Sequence, residues 1–130
     1  MRMDMTRLGF LDNTFDLIMC SHVLEHVKDD RQAIKEMFRV LKSGGLCFIL
    51  VPFDDERVST IEYKRPNPLD PGHLRAYGLD TINRTKSVGF KVEMVDLISN
   101  LNKDDVNHRR LGTEEICFLC IKSSGVEHEL

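Results

Sequence analysis

The sequence predicts an α/β fold, and three observations carry that prediction. Short apolar runs, Phe15-Asp16-Leu17-Ile18-Met19-Cys20-Ser21 and Leu46-Cys47-Phe48-Ile49-Leu50-Val51, suit strands buried on both faces, as in a parallel sheet. Between them, Ala33, Ile34, Met37, Phe38, Val40 and Leu41 form one apolar stripe at helical spacing. Turn chemistry separates the elements: Asp12-Asn13 before the first run, Gly44-Gly45 before the second, and Pro52 after it.

Each element follows from its own signals. The first helix is expected from about Asp30 to Lys42. Asp29 serves as its N-cap, Gln32 completes a capping-box pattern, Lys42 occupies the last turn and Gly44-Gly45 supplies a left-handed C-cap. Strand, helix and strand in this order make a βαβ unit with a right-handed crossover. Residues 53 to 76 form a long polar connection carrying Pro66, Pro68 and Pro71; a connection this long after a cleft-lining strand is a lid candidate. A short helix from Leu79 to Val88 ends at Gly89, and Lys91 to Leu97 is a strand of mixed alternation. Ser99 to Thr113 reads as a loop. Glu115 to Ile121 is apolar on both faces, so it is a central strand, and with no helix before it an antiparallel one. Residues 1–122 read as one domain and 123–130 as a tail.

Composition narrows the function classes. The chain has 130 residues, of which 42% are hydrophobic and 30% charged, enough to bury a core. A formal charge of −3 excludes a nucleic-acid binder driven by net charge. No apolar run approaches the ~18–20 residues of a membrane span, and the start, Met1-Arg2-Met3-Asp4-Met5-Thr6, has no apolar signal-peptide core. The four cysteines therefore read as free thiols of a cytoplasmic protein.

Four stretches carry a family resemblance. Asn13-Thr14-Phe15-Asp16-Leu17-Ile18-Met19-Cys20-Ser21-His22-Val23-Leu24-Glu25-His26-Val27 resembles the middle motif of class I S-adenosylmethionine-dependent methyltransferases, of the small-molecule kind called type 11. Arg39-Val40-Leu41-Lys42-Ser43-Gly44-Gly45, with the apolar run and Pro52 after it, is similar to that family's next motif; Ser43 stands where proline is usual. His73-Leu74-Arg75-Ala76-Tyr77 and Gly89-Phe90-Lys91-Val92 also look like segments of the family. The resemblance covers roughly Asp4 to Lys122.

The resemblance implies a Rossmann-like sheet and S-adenosylmethionine as cofactor. The strands readable here correspond to the fourth, fifth, sixth and seventh of the family's seven. Their spatial order would be fourth, fifth, seventh, sixth, with the last strand antiparallel and the helices mainly on one face. The family's glycine-rich loop, which follows its first strand, has no counterpart, since the 130 residues contain no Gly-x-Gly. The expectation is a truncated domain lacking the cofactor-binding half, inactive by itself unless a partner completes it. The alternative is a catalytically silent remnant serving as an oligomerisation or binding module. Roughly ten apolar side chains would be left uncovered, at ~1.5–3 kcal/mol each, against a domain's stability of about 5–15 kcal/mol. A homodimer, or a chain supplying the missing half, is therefore expected.

Ligands of open α/β sheets sit beyond the carboxyl ends of strands, which points to Ser21 and His22 and to Pro52 and Phe53. By the resemblance, Cys20, Ser21 and His22 would line the cofactor cleft. Asp4 would accept a hydrogen bond from the adenine amino group, with Met5 beside it, if Met3-Asp4-Met5 is a stub of the family's third strand. His22 would take a proton from a small-molecule acceptor, or else cap the turn after the strand. His22-Val23-Leu24-Glu25-His26 also spells H-x-x-E-H, in which two histidines one helical turn apart can bind zinc. Too few residues separate Ser21 from Lys28-Asp29-Asp30 for such a helix, so no metal is expected. Cys117 and Cys120 would point to opposite faces of one strand, and Cys20 and Cys47 would pack on neighbouring strands. Asn83-Arg84-Thr85 reads as helix surface, and Lys64-Arg65 and His108-Arg109-Arg110 as solvated spots.

Overall fold

The computed structural model describes residues 4–54, 56–65, 72–96 and 116–123. Its elements are β1 (Phe15–Ser21), α1 (Asp30–Val40), β2 (Leu41–Leu50), β3 (Ile61–Glu62), β4 (Arg75–Ala76), α2 (Thr81–Lys86), β5 (Lys91–Asp96) and β6 (Ile116–Ile121), with a single 3-10 turn at Leu24–His26. Four strands form one sheet in the order β1-β2-β6-β5. β1 and β2 are parallel; β6 is antiparallel to both its neighbours. β6 is thus central and reversed, as its two-sided apolar pattern predicts. The sheet is the expected α/β arrangement.

Register assigns the faces. Ile18, Cys47, Cys120 and Val92 stand in one row across the sheet, and Cys20, Ile49, Phe118 and Met94 in another. The alternation of side chains puts both rows on one face. There Cys20, Cys47, Ile49, Phe118 and Cys120 join Ala33, Ile34 and Met37 of α1 in the core. The intervening rows, Leu17–Leu46–Ile121–Lys91 and Met19–Phe48–Leu119–Glu93, lie on the opposite face. Leu17 is 55% exposed and Met19 63%. The apolar pattern of β1 is therefore two-sided while its burial is one-sided.

Helix α1 begins as expected and ends differently. Asp29 Oδ1 accepts from the Gln32 backbone N–H at 3.0 Å, but the Gln32 side chain donates to the Thr6 carbonyl instead of closing the capping box. The helix stops at Val40, and Leu41 and Lys42 already belong to β2. The carbonyls of Phe38 and Leu41 are met by Lys122 Nζ, at 2.9 and 2.8 Å, so a lysine just past the neighbouring strand β6 does the work assigned to Gly44-Gly45. Gly44 instead adopts φ +84 inside β2, at the irregularity in its pairing with β1. Gly89 adopts φ +126, and a Cβ there would meet the Phe38 ring at 2.9 Å, so this glycine both closes the helical segment and admits Phe38 onto Phe90.

Three further readings need correction. The segment at Asp4-Met5 is a turn, not a strand: Arg7 N–H donates to the Asp4 carbonyl, and Thr6 donates to the Asp4 side chain twice. Met3 lies outside the described residues. The connection after β2 carries structure of its own, since β3 and β4 pair Ile61 with Ala76 and Glu62 with Arg75. The sequon stretch is only partly surface: Asn83 is exposed, but Arg84 and Thr85 are buried. The loop at Ser99–Thr113, the spot at His108-Arg109-Arg110 and residues 124–130 of the tail lie outside the described residues. Among the described residues no helix is long and apolar enough to cross a membrane.

A buried charge network joins the helices to the strand ends. Asp30, at the start of α1, accepts from Arg84 at 2.6 Å and from the Tyr77 hydroxyl at 2.7 Å, with Arg75 at 3.8 Å. Glu62 pairs with both arginines. Removing Asp30 takes away the only buried carboxylate of the network and leaves both guanidinium groups to the half-exposed Glu62. Asp30→Ala should therefore destabilise the fold by about 3–5 kcal/mol, read as a lowered urea midpoint by circular dichroism.

Candidate functional site

The candidate site lies at the carboxyl end of β1, where the chain leaves the sheet and turns back into α1. His22 ends the strand with φ +54, a left-handed conformation uncommon for a non-glycine residue. Its backbone N–H donates to the Leu50 carbonyl at 2.8 Å, which ties this end of β1 to β2. The 3-10 turn then places Glu25 beneath His22. Glu25 is 1% exposed, and its Oε2 lies 3.5 Å from His22 Nδ1.

Arg75 holds this turn. Its guanidinium donates to the carbonyls of Leu24 at 2.7 Å, Val27 at 2.6 Å and Lys28 at 2.8 Å. These carbonyls have few partners in so short a helix. Leu74 N–H adds a bond to the Glu25 carbonyl. The motif His73-Leu74-Arg75-Ala76-Tyr77 thus acts by clamping the turn after β1, with Tyr77 on Asp30. Sequence reasoning missed this role. A buried arginine cannot be told from an exposed one without its partners, although the motif itself marked the position.

The expected site residues divide into two groups. Asp4, Met5 and His22 line one cleft of about 650 Å³, together with Val23, His26 and Lys28. Hydrogen bonds from Thr6 hold the Asp4 carboxyl below its ordinary range. Cys20 lies beneath, in the core, and with Met5 lines a separate apolar groove of about 270 Å³ along β1. Ser21 is exposed at the strand end. Pro52 and Phe53 line a smaller pocket with Tyr63 and His73, and Phe53 packs edge-on against Phe118.

The imidazole of His22 is exposed, and its Nδ1 is the nitrogen that faces the Glu25 carboxylate. The thiols face the opposite conditions. Burial pushes Cys20 up to about 11, with the Glu25 charge adding to it, and burial pushes Cys120 up to about 12. All four cysteines are free and buried.

The chain is similar in sequence and fold to known methyltransferases. Residues 1–49 match the family described as "Methyltransferase domain". A "Probable S-adenosylmethionine-dependent methyltransferase" of Mycolicibacterium smegmatis is 31% identical over 91 residues, 69% of this chain and 34% of the relative. An S-adenosylmethionine-dependent methyltransferase of Mesorhizobium loti shares the fold, with TM-score 0.64, 18% identity, and coverage of 92% of this chain and 66% of that one. The 1,6-didemethyltoxoflavin N1-methyltransferase of Burkholderia thailandensis does so with TM-score 0.65, 12% identity, and coverage of 92% and 48%. The fold and the order of its motifs are those of one class, the Rossmann-like methyltransferases. The matched domain and these relatives support a class I S-adenosylmethionine-dependent methyltransferase, a family whose cofactor is S-adenosylmethionine. It spans about a third of the length of the curated relatives it matches.

The state of the thiols can be checked directly. Cys20, Cys47 and Cys120 should alkylate at pH 8 about 100-fold more slowly in the native chain than in denaturant, followed by intact mass.

Proposed function

We propose that these residues form the acceptor-facing side of a methyltransferase acting on a small molecule, and that methyl transfer needs additional structure to hold the cofactor. One observation carries this reading: the left-handed His22, with Glu25 beneath it, at the mouth of the Asp4–Met5–His22 cleft. The reaction is an in-line transfer of a methyl group from a sulfonium to an acceptor, in which the cofactor supplies the reactivity and the protein the alignment. His22 takes the proton from the acceptor hydroxyl or amine. Asp4 and Met5 stand on the cofactor side of the cleft and Ser21 at its edge. Cys20 lines the separate apolar groove along β1.

The missing element is the glycine-rich loop, for which the 130 residues have no Gly-x-Gly. It would come from further residues of the same polypeptide, from a partner chain, or from an unusual homodimer. The exposed Leu17 and Met19 and the apolar groove beside β1 favour an association there, because each side chain gains ~1.5–3 kcal/mol on burial. The same surface supports the second reading, a silent module that binds or oligomerises. Four buried free thiols support a reducing compartment such as the cytoplasm.

Calorimetric titration of the 130-residue chain with S-adenosylhomocysteine separates these readings from an autonomous enzyme. The expected result is no saturable binding at millimolar ligand. Micromolar binding would overturn the requirement for additional structure, and its loss in His22→Ala would then place the ligand in the cleft.

A further inference from the structure

We infer that Glu25, His26 and His73 form a binding site for a divalent first-row transition cation, with Zn²⁺ the best chemical match. One ligating atom from each of the three lies within 4.8 Å of the other two. Ligand atoms around a tetrahedral zinc sit about 3.4 Å apart, so small side-chain rotations close the set. Two imidazoles and one carboxylate suit zinc and its neighbours, and would be a poor set for calcium or magnesium.

Glu25 supplies the independent sign of a ligand. Its side chain is 1% exposed, and Oε1 is buried with no hydrogen-bond partner. A buried carboxylate oxygen without a partner costs free energy that a cation would recover. Oε2 is turned to His22 at 3.5 Å, so the two oxygens face different tasks.

The histidines are also prepared. His26 Nδ1 lies 2.8 Å from the Gly72 carbonyl, which can only accept. The proton is therefore on Nδ1, and the lone pair is on Nε2. Metal-bound histidines are commonly oriented by such a bond from the other nitrogen. Gly72 permits this approach: its φ is +82, and a Cβ there would meet the His26 ring at 3.3 Å. The His73 ring packs edge-on against His26, with centroids 4.8 Å apart. His73 is half-buried and His26 exposed, so the site opens to solvent on one side.

This donor set is not the H-x-x-E-H set of the sequence. His22 stands in the left-handed conformation before a single 3-10 turn, so His22 and His26 are not stacked on one α-helix face. His73 takes its place, arriving from a connection about fifty residues further on. A cation here would fasten that connection to the turn after β1, alongside the Arg75 clamp.

The test is a titration of the EDTA-treated 130-residue chain with CoCl2 and separately with ZnCl2. The expected result is one ion per chain, with visible cobalt bands of nitrogen and oxygen ligation and no thiolate charge-transfer band. His26→Gln and His73→Gln should each weaken binding by more than about tenfold, while His22→Gln keeps it. Far-UV circular dichroism identifies a variant that has lost its fold, and the other histidine variant then decides. No saturation below millimolar metal, a thiolate band, or full binding in folded His73→Gln would overturn the site. In that case a water or a proton satisfies Glu25.

Discussion

The buried carboxylate of Asp30 is the constraint on which the rest of the structure depends. It sits at the first turn of α1 and holds Arg84 from α2 and Tyr77 from the connection between them. Arg75, adjacent to Asp30 and paired with Glu62, then has its remaining donors directed at the turn after β1. Burial alone would lower the affinity of these guanidinium groups for their protons, yet the Asp30 and Glu62 charges outweigh it and keep both raised. Such a network adds little net stability compared with apolar packing. Its value is geometric, because each charge fixes the position of another.

That geometry reaches the candidate chemistry through one short path. Arg75 anchors the carbonyls of Leu24, Val27 and Lys28, the 3-10 turn between them carries Glu25 and His26, and Glu25 faces His22. Sites of this kind need side chains held to fractions of an ångström by a supporting shell. Here the shell comes from the connection between β2 and α2. Both hairpin strands in it are two residues long, and Glu62 and Arg75 face each other across them. The exposed edge of the sheet, with Leu17 and Met19, is a separate matter: it concerns what the domain associates with, not how the turn is built.

The sequence was informative where a pattern is local. β1, α1, β2, α2, β5 and β6 follow from apolar periodicity and turn residues, and the reversed central β6 follows from its two-sided apolar run without a preceding helix. His22, Asp4 and Met5 line one cleft, although Asp4 and Met5 sit in a turn and not in the strand stub expected there. What was illegible depends on partners distant in the chain. The end of α1 is set by Lys122, some eighty residues away, so Gly44-Gly45 gave the wrong boundary. Asp30 looks like an ordinary first-turn acid, Arg84 like solvated helix surface, and Arg75 is marked by its motif without its partners. H-x-x-E-H suggested its own second histidine, whereas the fold pairs His26 with His73.

The central claim is that Arg75 pins the turn that positions Glu25 and His22. Native-state hydrogen exchange of Arg75→Met, followed by NMR beside the parent chain, tests it most directly. The account requires the amides of His26, Val27 and Leu74, bonded to Val23, Leu24 and Glu25 carbonyls, to lose protection selectively. The amides of β2 and β6 should keep theirs. Unchanged protection in the turn, or a uniform loss across the sheet, would contradict the claim.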